Sequence, residues 1–444
     1  MAKGNQLAIF LCFFACISLV ASTSTEEIRQ AEKHGRLTQA QQCRIQHISA
    51  KQPSQKIENE GGLIEIWEQN DDMFQCSGVA SFRYTIRSNG LSLPQYHSSP
   101  RLVFVERGEG LVGLNFPGCA ETFQSGSDSH QKVHRIRKGD LFAIPQGVAY
   151  WIFNDCSDDL VTVAVNDLSQ IGNQLDHQFR AFYMAGGETE TSEKYFQNLF
   201  QHFDTELIAE SLSMPVEVMR KIQEGDQTRK GYIVTVRKGM SIIRPDEREQ
   251  GEWSPRGNGI EENSWCSMEI RHNMESRQES DVYSRQGGRA YSVNQNKLPI
   301  LRLLDMSAAK LQVFPNAIYS PSWNVNGHTV VYVTKGEAEV QIVDQSGQTM
   351  MNERVREGDM FVIPQFFVAT SRAGENGFES VAFKTTSVSM KSQLAGYTSV
   401  MRGMPIQVIE NIYKVSPSQA KDLKFNTGSQ SLFMSSSRTT GFSS

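Results

Sequence analysis

One eight-residue phrase occurs twice in this chain, and the repetition limits the possible folds more than any other feature. It reads GDLFAIPQ at residues 139–146 and GDMFVIPQ at residues 358–365, 219 positions further on. Self-similarity of this kind indicates an internal duplication, and a duplicated chain must be interpreted as two copies of one structural unit. The 444 residues leave room for two or three domains.

The text around each copy is typical of β-structure. Short apolar and β-branched runs, separated by Gly, Asn, Asp and Pro, occur at residues 141–144, 160–165, 338–343, 361–363 and 381–383. Many short strands without long helices between them favour an antiparallel barrel or sandwich over a parallel α/β sheet. The sequence therefore predicts an all-β dominated fold with two β-barrels in tandem.

Each predicted barrel is followed by a paired helical pattern. The first runs over residues 206–212 and restarts at Ser213 and Pro215; the second runs over residues 407–412 and restarts at Ser416 and Pro417. A serine can cap the free N–H groups of a helix start, where proline's missing N–H is not needed. We expect a small C-terminal helical arm on each barrel.

The amino terminus has the layout of a secretory signal peptide. Lys3 precedes an apolar stretch at residues 7–20, and small residues follow at 21–24, so residues 1–22 are predicted to be removed. The stretch is shorter than the ~20 apolar residues that span a bilayer, and no other segment could span one, so no membrane association is expected. A net charge of -5 without a basic stripe excludes a nucleic-acid partner.

Entry into the secretory pathway changes how the cysteines are interpreted. Of seven, two leave with the signal peptide, and the five that remain are an odd number in an oxidising compartment. The residues alone leave their connectivity open. Cys156 follows a strand-like run at residues 151–153, and we interpret it as a small buried apolar side chain.

The first copy of the phrase resembles the second motif of the cupin superfamily, G-x5-P-x-G-x2-H-x3-N. Gly139, Pro145, Gly147 and Asn154 satisfy it, and the metal-binding histidine falls on Tyr150. The first cupin motif, an H-x-H followed by a glutamate, maps onto Gln95, Tyr96, His97 and Arg101. Of its metal ligands only His97 is present. In the second repeat the corresponding positions all lack a ligand: Trp323, Val325, Thr329, Phe366 and Ala369.

This resemblance implies cupin jelly-roll barrels without their metal. A catalytic metal needs about three converging donors, and Arg101 would repel a cation, so neither a metal nor another cofactor is expected. His97 is interpreted as a solvated or hydrogen-bonded histidine at a barrel mouth. Gly108 and Gly110 are interpreted as a hairpin turn, and His130 and His134 as a loop entering a strand rather than a zinc pair on a helix.

A junction between the two repeats carries the most specific resemblance. A polar stretch at residues 246–257 indicates an exposed linker and ends in NGIEE at residues 258–262, shortly before Cys266. This phrase resembles the processing site of the 11S globulins, the legumin-type seed storage proteins, and GCAETF at residues 118–123 resembles their other cysteine motif. The Asn-Gly pairs at Asn89, Asn326 and Asn376 are expected tight turns.

The resemblance implies cleavage between Asn258 and Gly259 by a vacuolar asparaginyl endopeptidase, which gives an acidic and a basic chain. Residues 23–258 hold 25 Lys and Arg against 32 Asp and Glu (net -7), and residues 259–444 hold 18 against 17 (net +1), which matches that division. It further implies an interchain disulfide from Cys119 to Cys266 and an intrachain one from Cys43 to Cys76. Family members pass through the endoplasmic reticulum to protein storage vacuoles and assemble as trimers and then as hexamers, of one or of mixed chains.

Two features depart from the family. The linker before Asn258 lacks the usual long Glu/Gln-rich insertion, and three residues instead of two separate Glu262 from Cys266. The domain plan is a signal peptide (1–22), an N-terminal cupin domain (38–225), an extended segment with an exposed linker (226–258) and a C-terminal cupin domain (259–444). The sequence favours a non-catalytic storage protein. The alternatives are a metal-dependent two-barrel enzyme of the oxalate decarboxylase or dioxygenase type, and a small-ligand-binding cupin.

Overall fold

A computed structural model describes residues 45–125, 128–170, 172–175, 178–186, 198–225, 229–240, 242, 264–275 and 280–435. The predicted signal peptide, Cys43, Asn258 and Gly259 lie outside these residues. None of the helices in the described ranges is long and apolar enough to cross a membrane.

The first half of the chain is mostly strand, with one short helix before β3 and two helices near the end. The strands are β1 (Gln55–Asn59), β2 (Gly62–Ile66), β3 (Val79–Ile86), β4 (Gly90–His97), β5 (Arg101–Arg107), β6 (Glu109–Asn115), β7 (Phe123–Ser125), β8 (Asp128–His130), β9 (Val133–Arg137), β10 (Asp140–Ile144), β11 (Ala149–Phe153), β12 (Leu160–Asp167), β13 (Ala181–Tyr183) and β14 (Ile233–Thr235). The helices are α1 (Asp72–Ser77), α2 (Thr205–Ser211) and α3 (Val216–Glu224).

The second half repeats this order after a short 3-10 helix, Ser264–Ser267. Its strands are β15 (Arg271–Asn273), β16 (Val282–Ser284), β17 (Gly288–Val293), β18 (Ser307–Val313), β19 (Ile318–Asn324), β20 (Thr329–Val343), β21 (Thr349–Arg356), β22 (Met360–Ile363), β23 (Val368–Lys384), β24 (Lys391–Gln393) and β25 (Phe433–Met434). Its helices are α4 (Leu301–Leu304), α5 (Val400–Gly403), α6 (Ile406–Tyr413) and α7 (Pro417–Phe425).

The strands form two jelly-roll-like barrels, as the sequence predicts. Barrel one consists of the sheets β1-β2-β3-β12-β5-β10-β15 and β13-β4-β11-β6-β9, with β14 beside β4. In barrel two, β20 pairs with β21, β22 and β23 and so joins all the strands into one bent sheet. The repeated phrase supplies β10 and β22, and its apolar side chains lie in the barrel cores: Leu141, Phe142 and Val362 have no exposed surface.

The glycine turn at Gly108 is not the hairpin that the sequence predicts. β5 pairs with β10 and β12, whereas β6 pairs with β9 and β11, so the chain passes from one sheet to the other at Gly108. Gly108 has a φ of +80°, and a Cβ there would lie 2.3 Å from the carbonyl oxygen of Asp159. Local sequence indicates a tight bend, but only the long-range pairing of the two strands decides whether it forms a hairpin or a corner.

The two helical arms are confirmed, but one of their predicted caps is wrong. Ser416 accepts a hydrogen bond from the Gln419 N–H, and Gln419 closes a capping box at the start of α7. In the first arm the N-cap of α3 is Pro215, which makes no side-chain cap, and Ser213 instead has a left-handed φ of +52° in the turn after α2. The serine therefore caps the helix in the second arm, where Ser416 directly precedes Pro417, and not in the first arm, where Met214 separates Ser213 from Pro215.

Each half of the chain contributes an edge segment to the other half's barrel. β15, which follows the predicted processing site, pairs with β10 of barrel one, and the Ala143 N–H donates to the Ile270 carbonyl at 2.9 Å. In return, Lys51 near the start of the described chain forms two hydrogen bonds of 2.9 Å with Met360 in β22 of barrel two. Both copies of the repeated phrase thus pair with a segment from the opposite half: β15 at β10, and an isolated bridge at Lys51 at β22.

Candidate functional site: barrel interiors and junction

The aspartate of each repeated phrase connects the two halves of the chain. Asp140 is fully buried; its Oδ2 accepts the Arg137 N–H at 3.0 Å, and its Oδ1 accepts from the Asn273 side-chain amide at 2.8 Å. Asp359 repeats this geometry, since it accepts the Arg356 N–H at 2.8 Å and the Gln52 side-chain amide at 2.6 Å. Asn273 and Gln52 each belong to the segment donated by the other half.

Asp140 additionally forms an ion pair with Arg271 of β15, with an N–O distance of 3.3 Å. In both copies of the phrase the aspartate thus closes a turn and holds a segment from the opposite half of the chain. Sequence reasoning used the repetition to infer duplication but missed this role, because the partners are more than 130 residues away in the chain.

A disulfide joins Cys119 to Cys266, with 5.5 Å between their Cα atoms and 147 residues between them in the chain. Cys119 follows β6 of barrel one, and Cys266 lies in the 3-10 helix just before β15. The bond therefore fixes the base of the exchanged strand. Cys76 in α1 is also disulfide-bonded; the partner that the resemblance implies for it, Cys43, lies outside the described residues.

Cys156 is a free thiol, but it is not the buried apolar side chain that the sequence suggests. It is half-buried, its Sγ lies 3.2 Å from the Glu109 carboxylate, and Arg135 and Asp155 form an ion pair beside it. Burial and the neighbouring carboxylates raise the pKa of the thiol to about 11. At neutral pH Cys156 is therefore a protonated thiol, which is a poor nucleophile.

The interior of barrel one is built around the guanidinium of Arg101, which is 1% exposed. Its Nε donates to Asn166 Oδ1 at 2.9 Å, and its Nη1 donates to the hydroxyls of Tyr84 at 3.0 Å and Tyr150 at 2.7 Å. The rings of Phe82 and Phe179 lie 5.1 and 5.5 Å from its Cζ atom. Every partner of this cation is electrically neutral.

His97 lies beside Arg101 and is 2% exposed, so of the two predicted alternatives the solvated histidine is wrong and the hydrogen-bonded one is confirmed. Its Nε2 is 3.2 Å from Gln95 Oε1 and 3.5 Å from the Tyr150 hydroxyl. Burial and the charge of Arg101 hold the pKa of His97 well below its usual range, so the imidazole is neutral at physiological pH. The rings of Tyr150 and Phe179 lie beside it, with centroids 5.4 and 5.2 Å away, and this burial could not be deduced from the cupin spacing alone.

Barrel two places a lysine where barrel one has an arginine on the adjacent strand. Arg101 lies opposite Asn166 in the register of β5 and β12, and the corresponding pair in β20 and β23 is Thr329 with Lys384. Lys384 is 9% exposed, and its ammonium donates to Ser389 at 3.0 Å. Burial and the charge of Lys391 lower the pKa of Lys384 to about 7.

Sequence reasoning missed the tyrosine, asparagine and lysine members of both interiors. Tyr84, Asn166 and Lys384 belong to strands that look like ordinary apolar runs when each repeat is considered by itself. Alignment of the two repeats places Arg101 at the position of Thr329, but the cross-strand partners of these residues depend on strand registers that only the structure provides. In the ranges that the structure describes, no group of three or more His, Cys, Asp and Glu side chains is placed to hold a metal ion.

Comparison with known proteins agrees with this architecture. The cupin family model matches residues 48–190 and 273–421, one match for each barrel. The coordinates are similar to those of the coconut allergen cocosin, with a TM-score of 0.81 and 36% identity over 88% of this chain and 99% of that one. Vicilin from hazelnut, at 17% identity and a TM-score of 0.66, shares the fold. The fold and the paired matches define a two-barrel cupin protein.

Sequence relatives narrow the class. The 11S globulin seed storage protein 2 of Sesamum indicum is 50% identical over 94% of this chain and 96% of its own length. The 11S globulin seed storage protein Ana o 2.0101 of Anacardium occidentale is 38% identical over 87% and 92%. The chain belongs to the 11S globulin seed storage proteins.

Proposed function

We propose that this protein is a non-catalytic nutrient reservoir of seeds, cleaved after Asn258 into two disulfide-linked chains and packed as hexamers in protein storage vacuoles. The observation that carries the proposal is the exchange of edge segments between the two halves of the chain: β15 pairs with β10, and Lys51 pairs with Met360. Because of this exchange, the cleaved protein remains one compact particle. A dense protein reserve requires this property.

Cleavage at Asn258 would place the two barrels on separate chains, but not on separate folding units. β15 would remain hydrogen-bonded to β10, and Lys51 would remain bonded to Met360. The Cys119–Cys266 disulfide would become the covalent link between the acidic and the basic chain. The junction sequence NGIEE lies between the last described residue of the first half, Ile242, and the start of the 3-10 helix at Ser264.

Assembly is supported by the apolar surfaces of the two helical arms. Arm one comprises α2 and α3, and arm two comprises α6 and α7; both expose large apolar side chains on their outer faces. In arm one these are Leu207, Leu212, Met214, Val218 and Ile222, and in arm two they are Val408, Ile412, Tyr413, Leu423 and Phe425. Exposed apolar clusters on a soluble protein are typical of subunit interfaces.

The apolar face of each arm packs against the other arm of a second copy of the chain. The arms are corresponding parts of a duplicated chain, so arm one of one copy can pack on arm two of the next in a head-to-tail contact that repeats until a ring closes. The resemblance to the 11S globulins supports a ring of three copies and a stack of two rings, which makes six. The uncut linker would obstruct the stacking face.

An Asn258→Gln variant tests processing and assembly together. Incubated with an asparaginyl endopeptidase, it should remain one chain on a reducing gel and sediment as a trimer, whereas the wild type should yield two chains and a hexamer. If the variant is still split into two chains, the cleavage site is elsewhere. If it stays intact and forms hexamers as readily as the wild type, cleavage is not the assembly switch.

The arm contact is tested by Leu212→Asp and Ile412→Asp. Either variant should sediment as a monomer, because the charge would be buried in the ring contact. Met390→Asp is the matched control, since Met390 is equally exposed but lies outside both arms. Trimers of normal stability in both arm variants would refute the ring contact.

The reservoir role is tested in the seed itself. Immunolocalisation should place the cut protein in storage vacuoles, and its amount should fall during germination. Metal analysis separates this role from the enzyme alternative: about one transition metal per barrel, lowered by His97→Ala, would favour catalysis.

A further inference from the structure

The strongest unexplained feature of the molecule is the buried charge of Arg101. A guanidinium stays protonated at every accessible pH, so it cannot be neutralised by losing a proton. Its partners Asn166, Tyr84 and Tyr150 carry no charge, and within the described part of the chain Arg101 forms no ion pair. Burial of an uncompensated charge is among the most costly arrangements in a protein interior.

The tyrosines do not provide the missing negative charge. Burial raises the pKa of Tyr150 well above that of a free phenol, even though Arg101 opposes the shift. Tyr150 therefore remains a neutral hydroxyl at physiological pH. A counter-charge for Arg101 must come from outside the chain.

One nitrogen of the guanidinium has no hydrogen-bond partner, and it belongs to a residue that lines a small cavity. Nε and Nη1 of Arg101 are occupied, whereas Nη2 is buried and unpaired. The cavity is lined by Arg101 together with four polar residues and a ring of aliphatic side chains. The polar residues are Tyr84, Ser92, Tyr150 and Thr162.

The hydroxyl groups that line this cavity are hydrogen-bond donors that lack an acceptor. Thr162 Oγ1 is buried without a partner. The Tyr84 oxygen accepts from Arg101 Nη1, and the Ser92 oxygen accepts from the Gln95 amide at 3.4 Å, so each hydroxyl keeps its own proton available for donation. Three neutral donors and one cationic donor thus line the same space, and no carboxylate does.

The volume limits the occupant to a single atom or a water molecule. The centre of a water-sized sphere can occupy about 10 Å³ of the cavity, which is close to the minimum needed to hold one water. Acetate, phosphate and sugars are too large. A water molecule would satisfy some of the hydrogen bonds but would leave the charge of Arg101 uncompensated.

We propose that the interior of barrel one binds one monatomic anion of the size of chloride, held by Arg101 Nη2 and by the hydroxyls of Thr162, Tyr84 and Ser92. The anion supplies the counter-charge for Arg101. The chain thus carries an arginine where the cupin resemblance would place a metal-binding glutamate, and the site binds the opposite charge.

Barrel two supports this assignment by contrast. Its corresponding pair of residues, Thr329 and Lys384, also brings one basic group into the interior without a carboxylate partner among the described residues. A lysine, unlike an arginine, can release its proton when it is buried. Barrel two can therefore lose its interior charge without binding an anion, and the proposal is specific to barrel one.

Anomalous diffraction tests the site directly on the full-length protein. Crystals grown in sodium bromide should show a bromine peak within hydrogen-bonding distance of Arg101 Nη2, and long-wavelength data from crystals grown in sodium chloride should show a chlorine peak at the same place. The chloride measurement covers the case in which a bound chloride ion exchanges too slowly for bromide to replace it. Density that refines as water in both salts, without an anomalous signal, would overturn the proposal, as would halide peaks that occur only in barrel two or on the surface.

Thermal unfolding provides a second readout. Replacement of sodium gluconate by sodium chloride at constant ionic strength should raise the Tm of the wild type by roughly 2 °C or more, because a ligand that binds only the folded state stabilises it. Thr162→Val keeps the buried charge but removes one donor, so it should reduce this shift, and Arg101→Gln should abolish it. Lys384→Met is the matched control and should retain the full shift. A wild-type Tm that does not respond to chloride would contradict the proposal even if Arg101→Gln failed to fold.

Discussion

The two barrels share a strand order and a repeated phrase, but their interiors deal with a buried cation in different ways. Barrel one holds Arg101 on β5 opposite Asn166, and barrel two holds Lys384 on β23 opposite Thr329. The basic group has changed strand, while the position of the pair in the barrel has stayed the same. Duplication has preserved the need for a polar centre but not the residue that provides it.

The difference teaches that a vacated metal site need not become an apolar core. Each barrel keeps hydrogen-bonding groups in its centre: tyrosine hydroxyls and an asparagine in barrel one, and Ser389, Asn324 and Thr329 in barrel two. A lysine can lose its proton in such an environment, whereas an arginine stays charged and needs a counter-charge. The two interiors should therefore respond differently to pH and to salt.

The largest expected effect on stability comes from removing the disulfide between Cys119 and Cys266. The disulfide closes a loop of 147 residues around barrel one. In an uncut Asn258→Gln background, Cys266→Ser should lower the free energy of unfolding by up to about 5 kcal/mol, because the open chain gains entropy when it unfolds. Denaturant titration measures the loss.

The same variant should affect the barrels unequally. Hydrogen exchange should accelerate in β10, which holds the tethered strand β15, and should change little in β22. Equal acceleration in both strands would show that the disulfide stabilises the molecule as a whole rather than the exchanged strand.

A smaller effect sharpens the contrast between arginine and lysine. Lys384 has a pKa of about 7 in the folded protein, below its usual value of 10.5. The unfolded chain therefore binds more protons between about pH 7 and pH 10.5, and the stability of the wild type should rise with pH across that window.

Lys384→Met should remove the part of this dependence that Lys384 contributes. The gain in the free energy of unfolding should be on the order of 4 kcal/mol at pH 6, fall to about half at pH 9 and vanish above pH 10.5. Lys335→Met, at an exposed position on β20, is the control and should leave the pH profile unchanged. A gain that does not vary with pH would mean that packing, not charge, is responsible.

The repeated aspartates allow a direct comparison between the exchanged strands. Asp140 and Asp359 make the same backbone and amide hydrogen bonds, but Asp140 alone of the two is paired with an arginine, Arg271. Asp140→Ala should cost about 3 kcal/mol, because it also leaves a partly buried arginine unpaired, and Asp359→Ala about 2 kcal/mol. Chemical denaturation of both variants provides the ranking, and a larger cost for Asp359→Ala would contradict it.

The smallest expected effect concerns the helical arms. Ser416→Ala should destabilise the protein by about 1 kcal/mol through loss of the capping box of α7. Ser213→Ala should change stability by less than about 0.5 kcal/mol, because Ser213 caps no helix. Thermal unfolding of the two variants side by side measures the difference, and equal losses would restore the cap that the sequence suggested.

The sequence by itself determined the class of the fold and the family. Strand and helix patterns depend on neighbouring residues, so the β-rich repeats, the two arms and the apolar run of the repeated phrase could be identified locally. The loss of the cupin ligands could likewise be recognised, and the processing junction at Asn258 predicted, because a motif has a fixed spacing along the chain.

Only the tertiary structure decided which distant residues meet. It turned the Gly108 hairpin into a corner between sheets, buried His97, surrounded Cys156 with charges and placed β15 in the other half's barrel. The physical reason is that a strand's partner is chosen by register and burial over the whole barrel, whereas the strand itself is specified by its own few residues. The pairing of Arg101 with Asn166, and of Thr329 with Lys384, exists only once both barrels have closed.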